Sequence, residues 1–417
     1  MSKQDENTYK SPLTDLIDDA TYGRFDKRKS AGFYDPYLGE GKKASTKKKA
    51  RQQIAEKIKR KEPGFALKET ALQGAARLLH GTTGPDCPGP NKPNFGARSW
   101  NKVSKELMTP EELGVPRHEG DPPTNVKIIK RVAKHFGACR VGITGLDKRH
   151  VFLYDCDGKE IVFEPVEEPY ENESKRVIPE KCKYTIVMLI PMPAEAFACA
   201  PFPVGSMVPV LSYNRMEQLT GAVAEFIRGL GYVAIPSLND TAVNAPFALE
   251  AGLGELCRMD KIMHPDFGPM IRICKVFTDL PMELDHPKSS GIMEFCKVCQ
   301  RCAEGCPVKA INTERGPSWE VPGGWVCPGH KTWHADNPKC AAYADSTGGG
   351  CGICLNVCPW NKPKGLLHSL VRAIIKRTSL FNRFIVAADK FFGYGKPSNP
   401  EKWWEADLPT YGIDTRR

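Results

Sequence analysis

The sequence lacks an uninterrupted apolar run long enough to cross a bilayer. Its one long apolar stretch, residues 184–211, contains five prolines and a single acidic residue, Glu195. Because proline removes a backbone donor and distorts the helix around it, five prolines exclude a membrane-spanning helix. The pattern instead predicts a buried strand over residues 184–190, followed by a proline-rich loop that lines a cavity.

The sequence also lacks a Gly-x-Gly-x-x-Gly motif that opens a helix after a strand, so it does not support a dinucleotide site. The short segment Gly252-Leu253-Gly254 is too weak a signal alone. The first residues, Met1-Ser2-Lys3-Gln4-Asp5, contain neither an apolar signal core nor a twin-arginine pair. We therefore expect a chain that is either cytosolic or already processed.

The net positive charge is concentrated in one segment. Lys and Arg number 59 against 49 Asp and Glu, a net charge of +10, and residues 42–61 contribute ten basic residues and only one acidic residue. Such a run predicts an exposed, helix-forming stretch. Contact with nucleic acid or anionic lipid is the alternative. The rest of the chain is nearly neutral, so the net charge says little about it.

The 417 residues, 41% of them hydrophobic, permit two or three domains with at least one large core. This composition excludes disordered and fibrous architectures. We predict an N-terminal wrapping segment over residues 1–105, an α/β domain over 106–285, a cysteine-rich module over 286–363 and a tail over 364–417.

Apolar spacing predicts the elements of the larger domain and of the tail. Helical spacing occurs over residues 125–136 and 216–229, and apolar strands are predicted at 139–143 and 232–235. In the tail, residues 364–377 place their apolar side chains on one helical stripe. The simplest interpretation is a helix packed on the body, and a membrane or partner surface is the alternative.

Nine of the 16 cysteines fall between residues 296 and 358. The run Cys-x-x-Cys-x-x-Cys-x-x-x-Cys-Pro, which begins at Cys296, is that of bacterial ferredoxins, where the fourth cysteine ligates the other cluster. A second group of four cysteines ends in Cys-Pro at Cys358, so the two groups together provide eight thiolates. Two [4Fe-4S] clusters are predicted, one held by Cys296, Cys299, Cys302 and Cys358 and the other by Cys306, Cys340, Cys351 and Cys354.

Zinc is the alternative metal for these cysteines, but zinc sites favour paired Cys-x-x-Cys motifs or Cys with His. Neither pattern accounts for the triple spacing or the Cys-Pro endings. Cys327 lies near His330 and His334 in the sequence, so it is either a loop thiol or a ligand with them. Two neighbouring clusters form a path for electron transfer. Such a path, joined to a larger domain, implies a redox centre in that domain.

Several segments together resemble the corrinoid-dependent respiratory reductive dehalogenases, over roughly residues 105–395. They are the cysteine module and the stretches Leu211-Ser212-Tyr213-Asn214-Arg215-Met216, Phe226-Ile227-Arg228-Gly229-Leu230-Gly231-Tyr232, Leu238-Asn239-Asp240-Thr241, Ala251-Gly252-Leu253-Gly254 and Pro269-Met270-Ile271-Arg272. The resemblance is closest to the branch that reduces chlorinated alkanes such as chloroform and trichloroethane. It implies an α/β (α+β) fold, with a nitroreductase-like corrinoid-binding domain and a C-terminal ferredoxin-like two-cluster module.

The resemblance implies three catalytic positions. Tyr213 matches the proton-donating tyrosine, Arg272 the arginine beside it, and Asn239 the asparagine near the substrate halogen. A phenol is a weak acid by itself, and an adjacent guanidinium stabilises the phenolate that remains after proton transfer. Tyr213 is therefore predicted to act as the general acid.

The resemblance also implies the cofactor contacts. The corrinoid is expected to be bound base-off, since no Asp-x-His-x-x-Gly motif surrounds any of the nine histidines. The corrinoid-contacting stretch is predicted to include Gly252, Gly254, Cys257, Arg258 and Met259. Trp333 matches an aromatic residue that borders the substrate pocket, and packing over a cluster is its alternative role.

The remaining expectations concern partners and location. The resemblance implies a small halogenated hydrocarbon substrate, a small membrane-anchor subunit, a quinol-linked electron donor and no nucleic acid. It places the enzyme peripherally on the outer face of the cytoplasmic membrane, after export of a leader absent from this chain, or alternatively in the cytoplasm. Two rival functions are an epoxyqueuosine reductase-like enzyme acting on tRNA and a non-catalytic electron carrier without cobalt.

Overall fold

The polypeptide alternates strands and helices in its middle part and is mainly helical after residue 278. The structure is a computed structural model that describes residues 11–30, 52–66, 68, 93–347, 350–362, 365–393 and 395–409. Its strands are β1 (Arg140–Gly145), β2 (Glu160–Glu164), β3 (Tyr170–Glu171), β4 (Lys175–Pro179), β5 (Tyr184–Pro191), β6 (Ala234–Ser237), β7 (Glu255–Cys257), β8 (Lys261–Met263) and β9 (Ile271–Thr278).

The helices from residue 110 onward fall into two groups. Those of the larger domain are α1 (Pro110–Leu113), α2 (Pro122–His135), α3 (Ala194–Phe197), α4 (Pro203–Ser206), α5 (Val208–Gly229) and α6 (Asn244–Glu250). Those of the cysteine module and tail are α7 (Ile292–Val298), α8 (Arg301–Glu304), α9 (Asn337–Ser346), α10 (Ile353–Asn356), α11 (Leu366–Arg377), α12 (Asn382–Phe391) and α13 (Pro400–Glu405).

A four-stranded antiparallel sheet of order β1-β5-β9-β6 lies at the centre of the larger domain. Alternate residues of β5 face opposite sides, as the period of a strand requires. Met188 packs in one core with α2 and α5, and Leu189 packs in another with α6. The sheet is thus covered by helices on both faces, which explains why β5 is apolar throughout.

The predicted elements of this domain are confirmed, with shifted ends. The helices extend to Pro122–His135 and Val208–Gly229, and the last predicted strand is Ala234–Ser237. The apolar stretch 184–211 begins with the predicted strand, β5, but its proline-rich part, predicted as a loop, forms the short helices α3 and α4 and the start of α5. No helix among the described residues is both long and apolar enough to cross a membrane.

The described parts of the N-terminal segment lie along the body of the protein. Ile17 forms a bridge with His330, and Asp26 forms one with Tyr154. Of the basic segment, residues 52–59 form an exposed helix, as predicted, and residues 42–51 lie outside the described residues. The domain boundaries stay a prediction.

His150 makes the stability of this domain dependent on pH. Its ring is 2% exposed, and Nδ1 lies 2.9 Å from the Tyr22 hydroxyl. Burial lowers the pKa of His150 to about 4, although the nearby Asp147 carboxylate opposes the shift. Between pH 6.5 and 4 the unfolded chain therefore binds a proton that the folded chain does not. We expect the free energy of unfolding to fall by about 3 kcal/mol across this range.

The measurement is anaerobic urea unfolding at pH 7 and pH 4.5, followed by circular dichroism. His150→Gln should lose less stability on acidification than the parent chain does. The exposed His135→Gln provides the control for a histidine substitution and should behave like the parent. Equal acid sensitivity of the parent and the His150 variant would contradict the prediction.

Candidate active site

The three predicted catalytic residues converge at one end of the sheet. Tyr213 lies in the second turn of α5, Arg272 near the start of β9, and Asn239 in the loop after β6. The Asn239 amide nitrogen Nδ2 donates to the Tyr213 hydroxyl oxygen at 2.5 Å. The Arg272 guanidinium carbon lies 5.5 Å from the centre of the Tyr213 ring. A donor and a cation therefore both adjoin the phenol, and the catalytic roles stay a prediction.

A buried carboxylate holds the loop that carries Asn239. Asp240 is fully buried, and it accepts from the Leu238 backbone amide at 2.5 Å. Arg98 lies 3.8 Å from Asp240 and 3.3 Å from Glu217 of α5. Because the loop and α5 share this ion-pair network, Asn239 and Tyr213 are held at a defined separation.

Two further polar residues lie behind the site. The fully buried Lys275 of β9 donates through Nζ to the Leu238 and Ala242 carbonyl oxygens and to Asn244 Oδ1, at 2.9, 3.0 and 2.5 Å. Asn244 Nδ2 donates in turn to Asn239 Oδ1. Burial lowers the pKa of Lys275 to about 7, and Asp240 opposes the shift. Sequence reasoning missed this pair, although a lysine inside the buried part of β9 was an available signal.

The first predicted cluster site is a small cavity between α7, α8 and the segment that follows α10. It is lined by Cys296, Cys299, Cys302 and Cys358, together with Met259, Met263, Phe295 and Trp360. Burial raises the pKa of Cys358, and the other three thiols raise it further. Such thiols become stable thiolates only with a cationic partner, which the iron of a cluster supplies.

The second set of thiols lies nearer the surface. Cys340 is exposed, and Cys351 and Cys354 are half-buried. Burial raises the pKa of Cys354 to about 12, and Cys340, Cys351 and Cys306 contribute to the rise. The four predicted ligands of this set are therefore neighbours in space. Cys327 instead donates to the Gly23 carbonyl oxygen at 3.4 Å, as a loop thiol would.

Arg258 contacts the loops of the first cluster site, and its contact with a corrinoid stays a prediction. Its guanidinium is fully buried and donates to the carbonyl oxygens of Cys296, Cys299, Asn312 and Glu314. Its donors are thus directed at the cluster-binding loops rather than at an open cofactor surface. The physical reason is that five rigid N–H donors can satisfy several buried carbonyls at once. Arg258 connects the α/β domain to the first cluster site.

Its neighbours in the predicted corrinoid stretch have related roles. Cys257 is fully buried, and Met259 lines the cluster cavity. A Cβ atom at Gly252 would lie 2.4 Å from the His286 carbonyl oxygen, and one at Gly254 would lie 2.5 Å from that of Met263. Both glycines are therefore required by close backbone packing within the protein. Their contact with a corrinoid stays a prediction.

Trp333 lies inside the cysteine module. Its ring is fully buried, its Nε1 donates to the Glu314 carbonyl oxygen at 3.1 Å, and Arg258 lies 5.3 Å from the ring centre. These contacts match the alternative role, packing beside a cluster. Its place at a substrate pocket stays a prediction.

A buried polar atom of the predicted site fits a large polar cofactor. Among the described residues, no hydrogen-bond partner is found for Arg272 Nε, although this atom is buried. Buried polar atoms normally have partners. A corrinoid carries many amide side chains, which could satisfy such atoms. The residues present thus fit the group that the resemblance implies.

Comparison with known proteins decides the family. The family model of the reductive dehalogenase subunit matches residues 15–282, and that of the 4Fe-4S double cluster binding domain matches residues 295–361. The chain belongs to the reductive dehalogenase family. The match confirms the predicted fold class, with its C-terminal double-cluster domain, and identifies an oxidoreductase of carbon–halogen bonds.

Individual relatives agree with this assignment. The tetrachloroethene reductive dehalogenase of Sulfurospirillum multivorans is 33% identical over 86% of this chain and 74% of its own. That of Desulfitobacterium hafniense is 31% identical over 67% of this chain and 56% of its own. A catabolic reductive dehalogenase solved with 3-bromo-4-hydroxybenzoic acid has a TM-score of 0.65 at 25% identity. That match covers 92% of this chain and 48% of the other, so the chain spans about half of the solved relative.

The same comparisons bear on the cofactors and on the rival function. A reductive dehalogenase structure that suggests a mechanism for B12-dependent dehalogenation matches 91% of this chain at a TM-score of 0.63. Together with the double-cluster domain, it confirms the predicted cofactor set of one corrinoid and two [4Fe-4S] clusters. The epoxyqueuosine reductase of a Synechocystis species is 29% identical over only 28% of this chain. That alternative is therefore a distant one.

Proposed function

We propose that this reductive dehalogenase removes chlorine from small chlorinated hydrocarbons as the terminal reductase of organohalide respiration. The reaction converts R–Cl, two electrons and one proton into R–H and chloride. The observation that carries the proposal is the convergence of Tyr213, Asn239 and Arg272, joined to eight thiols in two spatial groups. A bound corrinoid would supply the two-electron chemistry at the carbon–halogen bond.

The residues of the chain have separate tasks in this reaction. Tyr213 donates the proton to the carbon that loses chloride, and the adjacent Arg272 stabilises the resulting phenolate. Asn239 donates to the same oxygen and holds the phenol in place. The cysteines hold the clusters that deliver the two electrons, one at a time.

For the substrate, we propose chloroform and chlorinated ethanes. The support is the sequence resemblance to the chloroalkane branch, whereas the similar proteins named above are tetrachloroethene reductive dehalogenases. The test is anaerobic reconstitution with corrinoid, iron and sulfide, followed by turnover with a reduced dye. Chloroform and trichloroethane should react faster than tetrachloroethene. Faster reaction of tetrachloroethene would overturn the substrate assignment, and iron without cobalt would favour the electron carrier.

We also propose a location and partners for the enzyme. It acts peripherally on the outer face of the cytoplasmic membrane, beside a small membrane-anchor subunit, and receives electrons from a quinol-linked donor. Family resemblance supports this arrangement. Protease treatment of intact spheroplasts should degrade the enzyme, while a cytosolic marker survives. Protection until lysis would instead support the cytoplasmic alternative.

A further inference from the structure

Helices α11 and α12 expose an unusual amount of apolar surface. The predicted packing of α11 is confirmed only for part of its stripe, since Ile375 is buried while Leu366 and Leu370 are 95% and 59% exposed. On α12, Phe384 and Phe391 are 73% and 85% exposed. The complete exposed set, here named the tail surface, is Leu366, Leu367, Leu370, Leu380, Phe381, Phe384, Phe391 and Phe392.

The tail surface faces away from the body. Both helices pack on α7, through Ile375 on α11 and Val386 on α12. Helical spacing places Phe384 and Phe391 on the side of α12 opposite its buried residues. Exposed apolar side chains in this number on two neighbouring segments, backed by a packed face, mark an interaction site rather than scattered exposure.

The two helices carry mainly positive charge, and the nearby carboxylate of Glu304 is paired with Lys390 at 2.6 Å. Residues 365–393 contain five lysines and arginines and a single carboxylate, Asp389. Asp389 is buried and pairs with Arg301 at 3.2 Å and Lys362 at 3.3 Å, so it offers no negative charge to a partner. Lys376, Arg377 and Arg383 are exposed. Exposed Leu and Phe flanked by Lys and Arg are typical of helices that lie in an anionic lipid interface.

We propose that the tail surface inserts into the headgroup region of an anionic lipid bilayer. Charge complementarity selects this occupant over a second copy of the chain, which would bring an identical basic rim against this one. The lipid contact would place α7, which carries Cys296, next to the membrane. The proposal stands on exposure and charge, and it does not depend on the activity.

The test measures co-sedimentation of the reconstituted full chain with vesicles. Equal parts of phosphatidylglycerol and phosphatidylcholine should bind it, at least about tenfold better than phosphatidylcholine alone. The variant Leu370→Ser/Phe384→Ser/Phe391→Ser, and separately Lys376→Glu/Arg377→Glu/Arg383→Glu, should each weaken binding by about tenfold or more. Iron and cobalt content should be unchanged.

The matched control is Val103→Ser/Met108→Ser/Leu113→Ser, which removes three side chains of about 50% exposure outside the tail. It should bind vesicles like the parent chain. Two outcomes would overturn the proposal. One is equal binding of all three variants; the other is a dimer in gel filtration that the serine variant converts to monomer, which would assign the surface to a second copy.

A second inference concerns the hydrogen-bonded side chains of Lys275, Asn244 and Asn239, which lie behind Tyr213. Lys275 Nζ has three acceptors, which match the three hydrogens of an ammonium group. One of them is Asn244 Oδ1, so the Asn244 amide must direct Nδ2 the other way, where it donates to Asn239 Oδ1 and to the Ile273 carbonyl oxygen. Asn239 in turn can present only Nδ2 to Tyr213.

We infer that Lys275 and Asn244 are positioning residues that set the direction of the hydrogen bond to Tyr213. Because the Tyr213 oxygen accepts from the Asn239 amide nitrogen, Asn239 does not accept the phenol proton that the acid must give to the substrate. A reversed amide would accept the phenol proton and compete with the substrate. This inference rests on the proposed role of Tyr213 as the acid.

The substitution Asn244→Asp should reverse the direction of these hydrogen bonds with little change in side-chain volume. A carboxylate still accepts from Lys275 but cannot donate to Asn239, whose amide then turns its oxygen toward Tyr213. We expect kcat per cobalt to fall by about tenfold or more, with KM within about twofold. The uncharged Asn244→Leu should act in the same direction. Asn172→Asp, at an exposed amide that only accepts, should match the parent enzyme.

A double-mutant cycle separates positioning from a merely structural effect. If Asn244 acts through Tyr213, the double variant Tyr213→Phe/Asn244→Asp should be no slower than Tyr213→Phe alone. Additive losses, or an Asn244→Asp enzyme with the parent kcat, would overturn the inference. A fully active Tyr213→Phe enzyme would instead overturn the proposed acid, so the two failures are distinguishable.

Discussion

Replacing Tyr213 by Phe should lower kcat for dehalogenation by about 100- to 10,000-fold, the usual contribution of a positioned general acid. The change removes one oxygen, which accepts from Asn239 at 2.5 Å and lies beside Arg272. The ring itself packs with the core around α5, so we expect the fold and both cofactors to be retained. The measurement is single-turnover and steady-state reduction of chloroform under anaerobic conditions, normalised to cobalt.

The matched control is Tyr232→Phe. Tyr232 is a buried tyrosine of the same domain whose hydroxyl donates to the His118 carbonyl oxygen at 2.7 Å. Its loss removes a comparable hydrogen bond but no group of the site, so activity should remain near that of the parent. A Tyr213→Phe enzyme that keeps the parent kcat would show that the proton comes from another group.

Replacing Arg258 by Met should cost about half of the bound iron. The guanidinium donates to four carbonyl oxygens, and the two that belong to the first cluster's own ligands, Cys296 and Cys299, are buried. Each buried acceptor left without a donor costs about 1–3 kcal/mol, so the loops that hold this cluster would be destabilised by about 2 kcal/mol or more. The cation also favours the Cys299 and Cys302 thiolates, whose pKa burial otherwise raises.

Iron and sulfide analysis after reconstitution measures this loss, and electron paramagnetic resonance shows which cluster remains. Arg258→Lys keeps the charge but loses the fork of donors, so it should retain more iron than Arg258→Met. Arg140→Met controls for the type of substitution, since Arg140 is partly exposed and its guanidinium contacts Asp266 and the Cys139 carbonyl oxygen, neither of which belongs to a predicted cluster ligand. Full iron content in Arg258→Met would contradict the structural role assigned to this arginine.

Strand β5 and helix α5 follow the sequence prediction more fully than the tail helix α11 does. Strand β5 and helix α5 were predictable because each has a local apolar period that its own neighbours satisfy. The α11 stripe has an equally clear period, yet only its Val371 and Ile375 edge packs on the body. Periodicity shows which residues share a face of a helix, and it does not show how much of that face another element covers.

Arg258 illustrates a second kind of difference. Family resemblance placed it in a corrinoid-contacting stretch, whereas its side chain is directed at the carbonyls of the cluster loops. A sequence motif assigns a residue to a stretch of backbone. The direction of a long side chain depends on which buried acceptors lie within its reach, and these come from residues about 40 to 56 positions away.

By itself, the sequence determined the two clusters, because the spacing of cysteines within a short run dictates which thiols can share a cluster. It also determined the strands and helices whose apolar period is local. Two features were decided only by the tertiary structure. They are the series of hydrogen bonds from Lys275 through Asn244 and Asn239 to Tyr213, and the part of the tail that no other element covers. Those features depend on the pairing of β6 with β9 and the packing of α5 on the sheet, which bring together residues separated by up to 62 positions in the chain, Tyr213 and Lys275.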